Sequence, residues 1–389
     1  PEVAIKYPEV ELLCLGEGEN VVGELTERIR KKESYDDLPS LWIKKDDHNI
    51  KKNPRGHVVL DFMKIIPDYS LFDSKRFYRQ MGGKNFKSVT IESYRGCPYT
   101  CAYCNSPMQT NKAKDEGIGV FLRRAKFHKY RDYLLKIIET VQPTYFMFAD
   151  DSFLARPKKE IEEFCKMYSE FKIPFWFNTR PENITEESLK MLKDVNCHRI
   201  ALGIECGNEE FRSKVLLRNT KNKHIIDKFE VLANGEIPFS VNNIIGFPDE
   251  TRELIFETIE LNRQIEAYDA MSVTVFVPYH GTVLRDICVQ KGYIDPNEIV
   301  KDLHHSILNQ PSISTDEING LLKTFPLYVH FDKNMWDDIG IAEKETTEGK
   351  KLFDELKEIY QKEFFEVDQD TKLNKFKLNK TKNQSYATQ

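Results

Sequence analysis

The sequence has no run of apolar residues long enough to cross a bilayer. It shows no secretory signal pattern at its start and no second paired-cysteine half to match its one cysteine-rich loop. It has no strong charge of either sign: 57 Lys and Arg stand against 62 Asp and Glu, for a formal net charge of −5. Each absence removes a class. No transmembrane segment is expected. A disulfide framework is not expected in a chain of this size without a signal. The near balance of charge gives no support for nucleic-acid binding as the main activity, so no nucleic-acid partner is expected. No methionine precedes Met63, and a longer protein is therefore expected upstream of Pro1. No repeat is visible beyond an alternation of strands and helices.

Of the eight cysteines, Cys14, Cys165, Cys197, Cys206 and Cys288 are scattered singly, the usual pattern of small buried hydrophobes. The other three are concentrated in Gly96-Cys97-Pro98-Tyr99-Thr100-Cys101-Ala102-Tyr103-Cys104, with the spacing C-x3-C-x2-C. One tight loop thus offers three thiolates and no obvious fourth. A [4Fe–4S] cluster held this way keeps one iron open to a substrate or cofactor, whereas an electron-transfer cluster is normally closed by a fourth ligand. The spacing argues for chemistry at iron. A zinc site completed by another residue is the alternative. Reduced thiolates predict a reducing, cytoplasmic setting.

The chain is long enough for one large domain with additions, or for two. Between residues 88 and 292, apolar runs alternate with segments of helical spacing. The runs are Val89–Ile91, Thr144–Phe148, Pro174–Phe177, Arg199–Ile204, Phe239–Ile245 and Met271–Phe276. Six strands with intervening helices predict a parallel sheet in a partial TIM-like (βα)6 barrel. The active site of such a fold lies at the C-terminal ends of the strands, and each run there ends in a polar cluster. Residues 293–365 read as a helical segment placed over the barrel mouth, and 366–389 as a disordered tail. Residues 1–45 read as a strand, a Gly16-Glu17-Gly18-Glu19 turn and a helix, and 46–87 as a connector. The Gly-x-Gly lacks the third glycine of a dinucleotide fingerprint.

The cysteine loop resembles that of the radical S-adenosylmethionine (SAM) superfamily. The resemblance implies that Cys97, Cys101 and Cys104 ligate the cluster, that the methionine part of SAM chelates the open iron, and that Tyr103 lies against its adenosyl part. It implies a strand-two contact to the methionine amine, here Asp150 in Phe148-Ala149-Asp150-Asp151 where a Gly-Gly-Glu is more usual. From the residues alone, Asp150 is equally a helix N-cap. Glu205, ending strand four, reads as a contact to a ribose or to the amine, or as a salt-bridged charge. Asn178, Thr179 and Arg180 read as contacts to the SAM carboxylate or to substrate, or as a polar turn. Alternation puts one of Asn242 and Asn243 inward, and Asn243 is chosen for an adenine or ribose contact. His280 is a weaker candidate acid, base or ligand.

A narrower resemblance is to the cobalamin-binding branch of the superfamily. It rests on Gly16-Glu17-Gly18-Glu19 with its helix, on Ile66-Pro67-Asp68-Tyr69, on Gly203-Ile204-Glu205-Cys206-Gly207 followed by Phe211-Arg212 and Leu217-Arg218, on Ile245-Gly246-Phe247-Pro248-Asp249-Glu250-Thr251 and on Pro278-Tyr279-His280-Gly281-Thr282. It implies that residues 1–45 are the remnant of a Rossmann-like cobalamin-binding domain. It also implies that the full protein binds cobalamin beside its [4Fe–4S] cluster and SAM. The expected reaction is methyl transfer to an unactivated carbon of a small molecule or lipid, driven by a flavodoxin- or ferredoxin-type one-electron donor. A radical cyclisation or rearrangement, or a non-catalytic iron–sulfur module, are the alternatives.

Overall fold

The computed structural model describes residues 1–46, 49–300, 304–367, 372 and 376; most of the tail expected to be disordered lies outside them. The chain opens with β1 (Leu12–Cys14), α1 (Glu19–Lys31), β2 (Leu41–Asp46) and β3 (Asn49–Lys52). The three strands form an antiparallel sheet in that order. Leu38, Leu41 and Ile43 form its small core, with Val21 and Leu25 of α1 laid against them. Strands β2 and β3 straddle the boundary placed at residue 45, and the lysines that dilute their apolar pattern hid them in the sequence.

The next strand, β4 (Tyr78–Met81), pairs antiparallel with β5 (Lys84–Ile91). Beyond β5 come β6 (Tyr94–Arg95), α2 (Asn105–Asp115), β7 (Arg123–Arg124), α3 (Phe127–Val141), β8 (Tyr145–Phe148), α4 (Lys158–Tyr168) and β9 (Phe175–Thr179). The alternation continues with α5 (Glu186–Asp194), β10 (Cys197–Glu205), α6 (Glu209–Lys214), α7 (Asn222–Asn234), β11 (Phe239–Ile245), α8 (Arg252–Arg263), β12 (Ala270–Val275) and α9 (Val283–Gln290). Three further helices follow: α10 (Thr315–His330), α11 (Trp336–Ala342) and α12 (Thr347–Tyr360).

The main sheet has the order β12-β11-β10-β9-β8-β5-β4. All its pairs except β4–β5 are parallel. The expected six-stranded half-barrel is therefore present, open and curled, with an antiparallel strand added at one edge.

Alternation along each strand sorts the side chains into two layers. Val89, Ile91, Phe146, Phe148, Phe175, Phe177, Ile200, Leu202, Phe239 and Val241 are buried against the helices. Phe148, Phe153, Phe164, Phe175 and Phe177 make a continuous block of edge-to-face and stacked rings; Phe148 and Phe164, for example, stand 5.5 Å apart at 82°. Burying each such side chain contributes roughly 1.5–3 kcal/mol, and ring geometry adds up to about 1 more. This block makes the β8–β9 wall a rigid base for the loops above it. The opposite parity faces the lumen, and it is smaller and more polar: Thr90, Glu92, Met147, Trp176, Asn178, Ala201, Gly203, Ser240, Asn242 and Ser272, aligned by the strand register.

The C-terminal helices do not cover the mouth. Ile318, Leu321, Phe325 and Tyr328 of α10 pack with Ile255 and Ile259 of α8 and Val275 of β12. Helix α10 thus occupies the outer layer beside the sixth parallel strand. Arg263 of α8 donates to the carbonyls of Tyr328, Val329 and Phe331 and so closes the open C-terminal turn of α10. The amphipathic face of α10 did not itself say which sheet face it would cover.

Candidate active site

The three-cysteine loop follows β6 at the C-terminal ends of the parallel strands. Gly96 stands at φ +91°, and a β-carbon there would meet the Leu122 backbone at 3.1 Å, so the residue before Cys97 must be glycine. The loop is pinned from two sides. Ala102 N–H donates to the Leu216 carbonyl at 3.1 Å, and Leu284 N–H donates to the Ala102 carbonyl at 3.1 Å. Cys104 is the N-cap of α2, with its Sγ accepting from Ser106 N–H at 3.5 Å. The positive end of that helix therefore faces the thiols, which favours their ionised form.

Cys97, Cys101 and Cys104 line one cavity of about 460 Å³ together with Met108, Leu217 and Gly281. Burial pushes the Cys97 thiol up to about 11 and the Cys104 thiol up as well, so loading a metal there would release protons. A single tetrahedral zinc, with Zn–S bonds of about 2.3 Å, needs its sulfurs drawn around one point. Among the described residues, no group of three His, Cys, Asp or Glu is gathered that way. Three thiols spaced around a shared cavity fit a cluster that takes one thiolate per iron, with α2 directed at it. Those three thiols would leave one iron of such a cluster without a cysteine ligand.

Beside the loop stands a buried triad. Glu205 sits at φ +70°, where β10 bulges against β11, and its carboxylate is 3.0 Å from Arg218 Nη1. Arg218 also donates to the Tyr103 hydroxyl at 3.1 Å and to the Gly203 carbonyl at 2.8 Å. The carboxylate folds back over Gly203: a β-carbon there would come within 2.0 Å of Glu205 Oε1. Burial raises the Glu205 pKa, and Arg218 opposes the rise. Burial also disfavours charge on Arg218, but Tyr103 and Glu205 outweigh this and raise its pKa. The Tyr103 ring packs on Phe247, centroids 5.7 Å apart. Tyr103 and Glu205 are thus brought together under the cluster loop. Arg218, their common partner, entered the sequence reading only as part of a resemblance motif.

Arg180, at the end of β9, donates to Cys101 Sγ at 3.6 Å. Asn178, two residues earlier, shares its lumen-facing parity. His280 lies exposed on the rim of a neighbouring cavity.

Two predicted contacts are corrected. Asn243 faces the helix layer, not the lumen: its amide exchanges hydrogen bonds with Asn262 of α8, at 3.0 and 2.8 Å. The inward amide is Asn242, which accepts from Ser272 Oγ at 2.8 Å. A one-residue error of parity moves a side chain to the other face. Asp150 also turns to the helix layer. It accepts from Ser93 N–H and Oγ at 2.6 Å each, from Tyr94 N–H at 3.2 Å and from Arg156 at 2.5 Å, so its oxygens are committed to the segment that leads into Cys97.

The Gly-Glu-Gly-Glu turn binds the N-terminal sheet to this same segment. Glu19 pairs with Arg95 at 2.8 Å, while Glu17 pairs with Arg123 and accepts from Val59 N–H at 2.5 Å. Between the N-terminal sheet and the barrel lies a cavity of about 1080 Å³, lined by Leu15, Gly16, Trp42, Arg55 and His280 among others. It shares Met108 and Gly281 with the thiol cavity.

Glu250, in the turn after β11, is fully buried and accepts from Gly246 N–H at 2.6 Å and Phe247 N–H at 3.2 Å, with Oε1 left unpartnered. Burial raises its pKa to about 8 against those two donors. The folded chain therefore holds a proton between pH 4.5 and about 8 that the unfolded chain has lost, and stability falls as pH rises through that window. Glu250→Gln is expected to match the wild type near pH 5 and to exceed its stability at pH 9, by on the order of 3 kcal/mol. Urea denaturation at the two pH values tests this, and an equal gain at both would refute the assignment.

A half-barrel with three thiols on one loop at its mouth defines an iron–sulfur enzyme class. The family profile described as the Radical SAM superfamily matches residues 91–261. Those residues, which include the three cysteines, are a radical SAM domain. The chain is 26% identical over 303 residues to an uncharacterized methyltransferase of Pyrococcus horikoshii, covering 76% of this chain and 61% of the relative. It is 23% identical over 315 residues to the anaerobic magnesium-protoporphyrin IX monomethyl ester cyclase of Synechocystis, covering 79% of this chain and 59% of that one. Its fold resembles that of the cobalamin-dependent SAM radical enzyme OxsB solved with aqua-cobalamin and SAM bound. There the TM-score is 0.59 at 15% identity, over 95% of this chain and 57% of the other. The chain spans about three-fifths of the length of these relatives.

Proposed function

We propose that the protein to which this chain belongs reductively cleaves SAM and uses the resulting 5′-deoxyadenosyl radical to methylate an unactivated carbon of a small molecule or lipid. The observation that carries the reading is that the thiol cavity lies beside the 1080 Å³ cavity against the N-terminal sheet, with Met108 and Gly281 lining both. Cys97, Cys101 and Cys104 would hold a [4Fe–4S] cluster, which supplies one-electron cleavage of SAM when bound. Tyr103 would flank the adenosyl part. Glu205, held by Arg218, would accept from SAM, and Asn178 and Asn242 line the lumen below. The larger cavity has the size of a cofactor site; cobalamin, held with the rest of its domain, would lie there and supply the methyl group. The electron donor is a flavodoxin- or ferredoxin-type protein, and the setting a reducing cytoplasm. The named methyltransferase relative supports methyl transfer. The cyclase relative supports the second reading, radical ring formation without methyl transfer.

The test is anaerobic reconstitution of the full-length protein with iron, sulfide and cobalamin, then dithionite and SAM, with chromatography of the nucleosides. Methyl transfer predicts both 5′-deoxyadenosine and S-adenosylhomocysteine. Deoxyadenosine alone would favour cyclisation or rearrangement. A reduced cluster giving neither product would leave a non-catalytic iron–sulfur module.

A further inference from the structure

Among the described residues, each of the three thiols of the loop has an N–H donor. The donors to Cys97 and Cys104 are the backbone amides of Tyr99 and Ser106, which belong to the loop itself. The donor to Cys101 differs in kind. It is the Arg180 guanidinium, delivered from the end of β9 and bearing a positive charge.

That guanidinium is held in place from other directions. Its plane lies over the Tyr99 ring, 3.8 Å from the centroid. Its Nη2 pairs with Glu182, whose carboxylate is fixed in turn by Thr220 Oγ1 at 2.9 Å. The Arg180 side chain is only 12% exposed, and its Nε is buried without a partner. The Arg180–Glu182 pair therefore points its positive end at one ligand sulfur, in a site largely shielded from water, where charge–dipole effects are stronger than in bulk solvent.

We propose that Arg180 is a positioning residue that sets the reduction potential of the cluster through its hydrogen bond to Cys101, and this rests on the cluster reading above. Adding an electron places more negative charge on the ligand sulfurs. A cationic donor stabilises the reduced form more than the oxidised one and so raises the potential, as hydrogen bonds to cluster sulfurs do generally. The backbone amides at Cys97 and Cys104 are present with every residue but proline, whereas the donor to Cys101 is a side chain whose charge and reach change with the residue at 180. A lysine at 180 keeps a charge but lacks the planar fork that meets Cys101 and Glu182 together.

The experiment compares wild type, R180Q and R180K after anaerobic reconstitution. The midpoint potential is read by EPR-monitored titration without SAM, and SAM affinity is measured separately. The R180Q cluster is expected to be tenfold harder to reduce, a shift of about 59 mV to more negative potential for a one-electron couple, and R180K is expected to shift less in the same direction. If R180Q loses its cluster, the R180K shift decides. Unchanged potentials overturn the proposal. Unchanged potentials with weakened SAM binding overturn it in favour of a SAM-carboxylate contact. A wild-type protein that forms no cluster overturns the underlying reading instead, and is told apart by its iron and sulfide content.

Discussion

Cys101→Ala is expected to cost at least about 100-fold in 5′-deoxyadenosine formation and to leave the protein unable to retain its cluster. Changing an outer partner of a metal ligand typically costs 10–100-fold, and removing a ligand itself must cost more. The fold offers no ready replacement: Cys206 and Cys288, which share a packing cluster with Ala102 and Tyr103 of the loop, are fully buried there and do not line the thiol cavity. The loop should nevertheless stay folded, because Ala102 is tied by backbone hydrogen bonds to Leu216 and Leu284 whatever stands at 101. Cys165→Ala is the control. That thiol is buried in the helix layer, so its loss should lower stability by about 1 kcal/mol and leave iron content and turnover unchanged. Iron and sulfide analysis, absorbance near 400 nm and product chromatography on the two variants test the pair. A Cys101→Ala protein that keeps its cluster and cleaves SAM would remove the central assignment.

How much of this was legible in the sequence depends on which physical signal each part carries. The six parallel strands stand where the apolar runs placed them, because a strand whose one face is buried under helices keeps a short block rich in apolar residues. The cysteine spacing was legible because ligand chemistry leaves few residue choices. The short strands β2, β3 and β4 were not, since lysines and polar residues interrupt their patterns. Nor was the placement of α10, whose amphipathic face is satisfied equally by an outer layer or a mouth. The site residues divide the same way. Tyr103 was singled out by the resemblance and Glu205 by its place at a strand end, but the contacts that Arg218, Arg156 and Asn262 make were not legible, because a buried partner is defined by three-dimensional contact and not by spacing. Asn243 against Asn242 was an undecidable parity until the register with β10 and β12 was known.

Asp150 shows what the missing partners change. As a strand-end carboxylate it read as a contact for the SAM amine. In the fold it is the keystone of the segment that delivers Cys97. Its side chain has no solvent exposure, that of Arg156 has 1%, and Arg156 is stacked on Phe153 and Tyr94, with centroid distances of 4.4 and 4.9 Å. Removing one partner of a buried ion pair strands the other charge and costs about 3–5 kcal/mol. Asp150→Ala is therefore expected to lose that much, and it also leaves the Ser93 and Tyr94 amides without an acceptor, at about 1–3 kcal/mol each before water relieves them. Arg156→Met should cost less, because Asp150 keeps its three donors from Ser93 and Tyr94. The double variant Asp150→Ala/Arg156→Met should be more stable than the sum of the singles predicts, since neither charge is then left alone. Urea midpoints give the stabilities. Iron retention reads the functional consequence, because slack at Ser93–Tyr94 is transmitted through Arg95 and Gly96 to Cys97. If Asp150 instead contacts SAM and little else, Asp150→Ala would unfold within about 1 kcal/mol of the wild type, keep its cluster and show only weaker SAM binding.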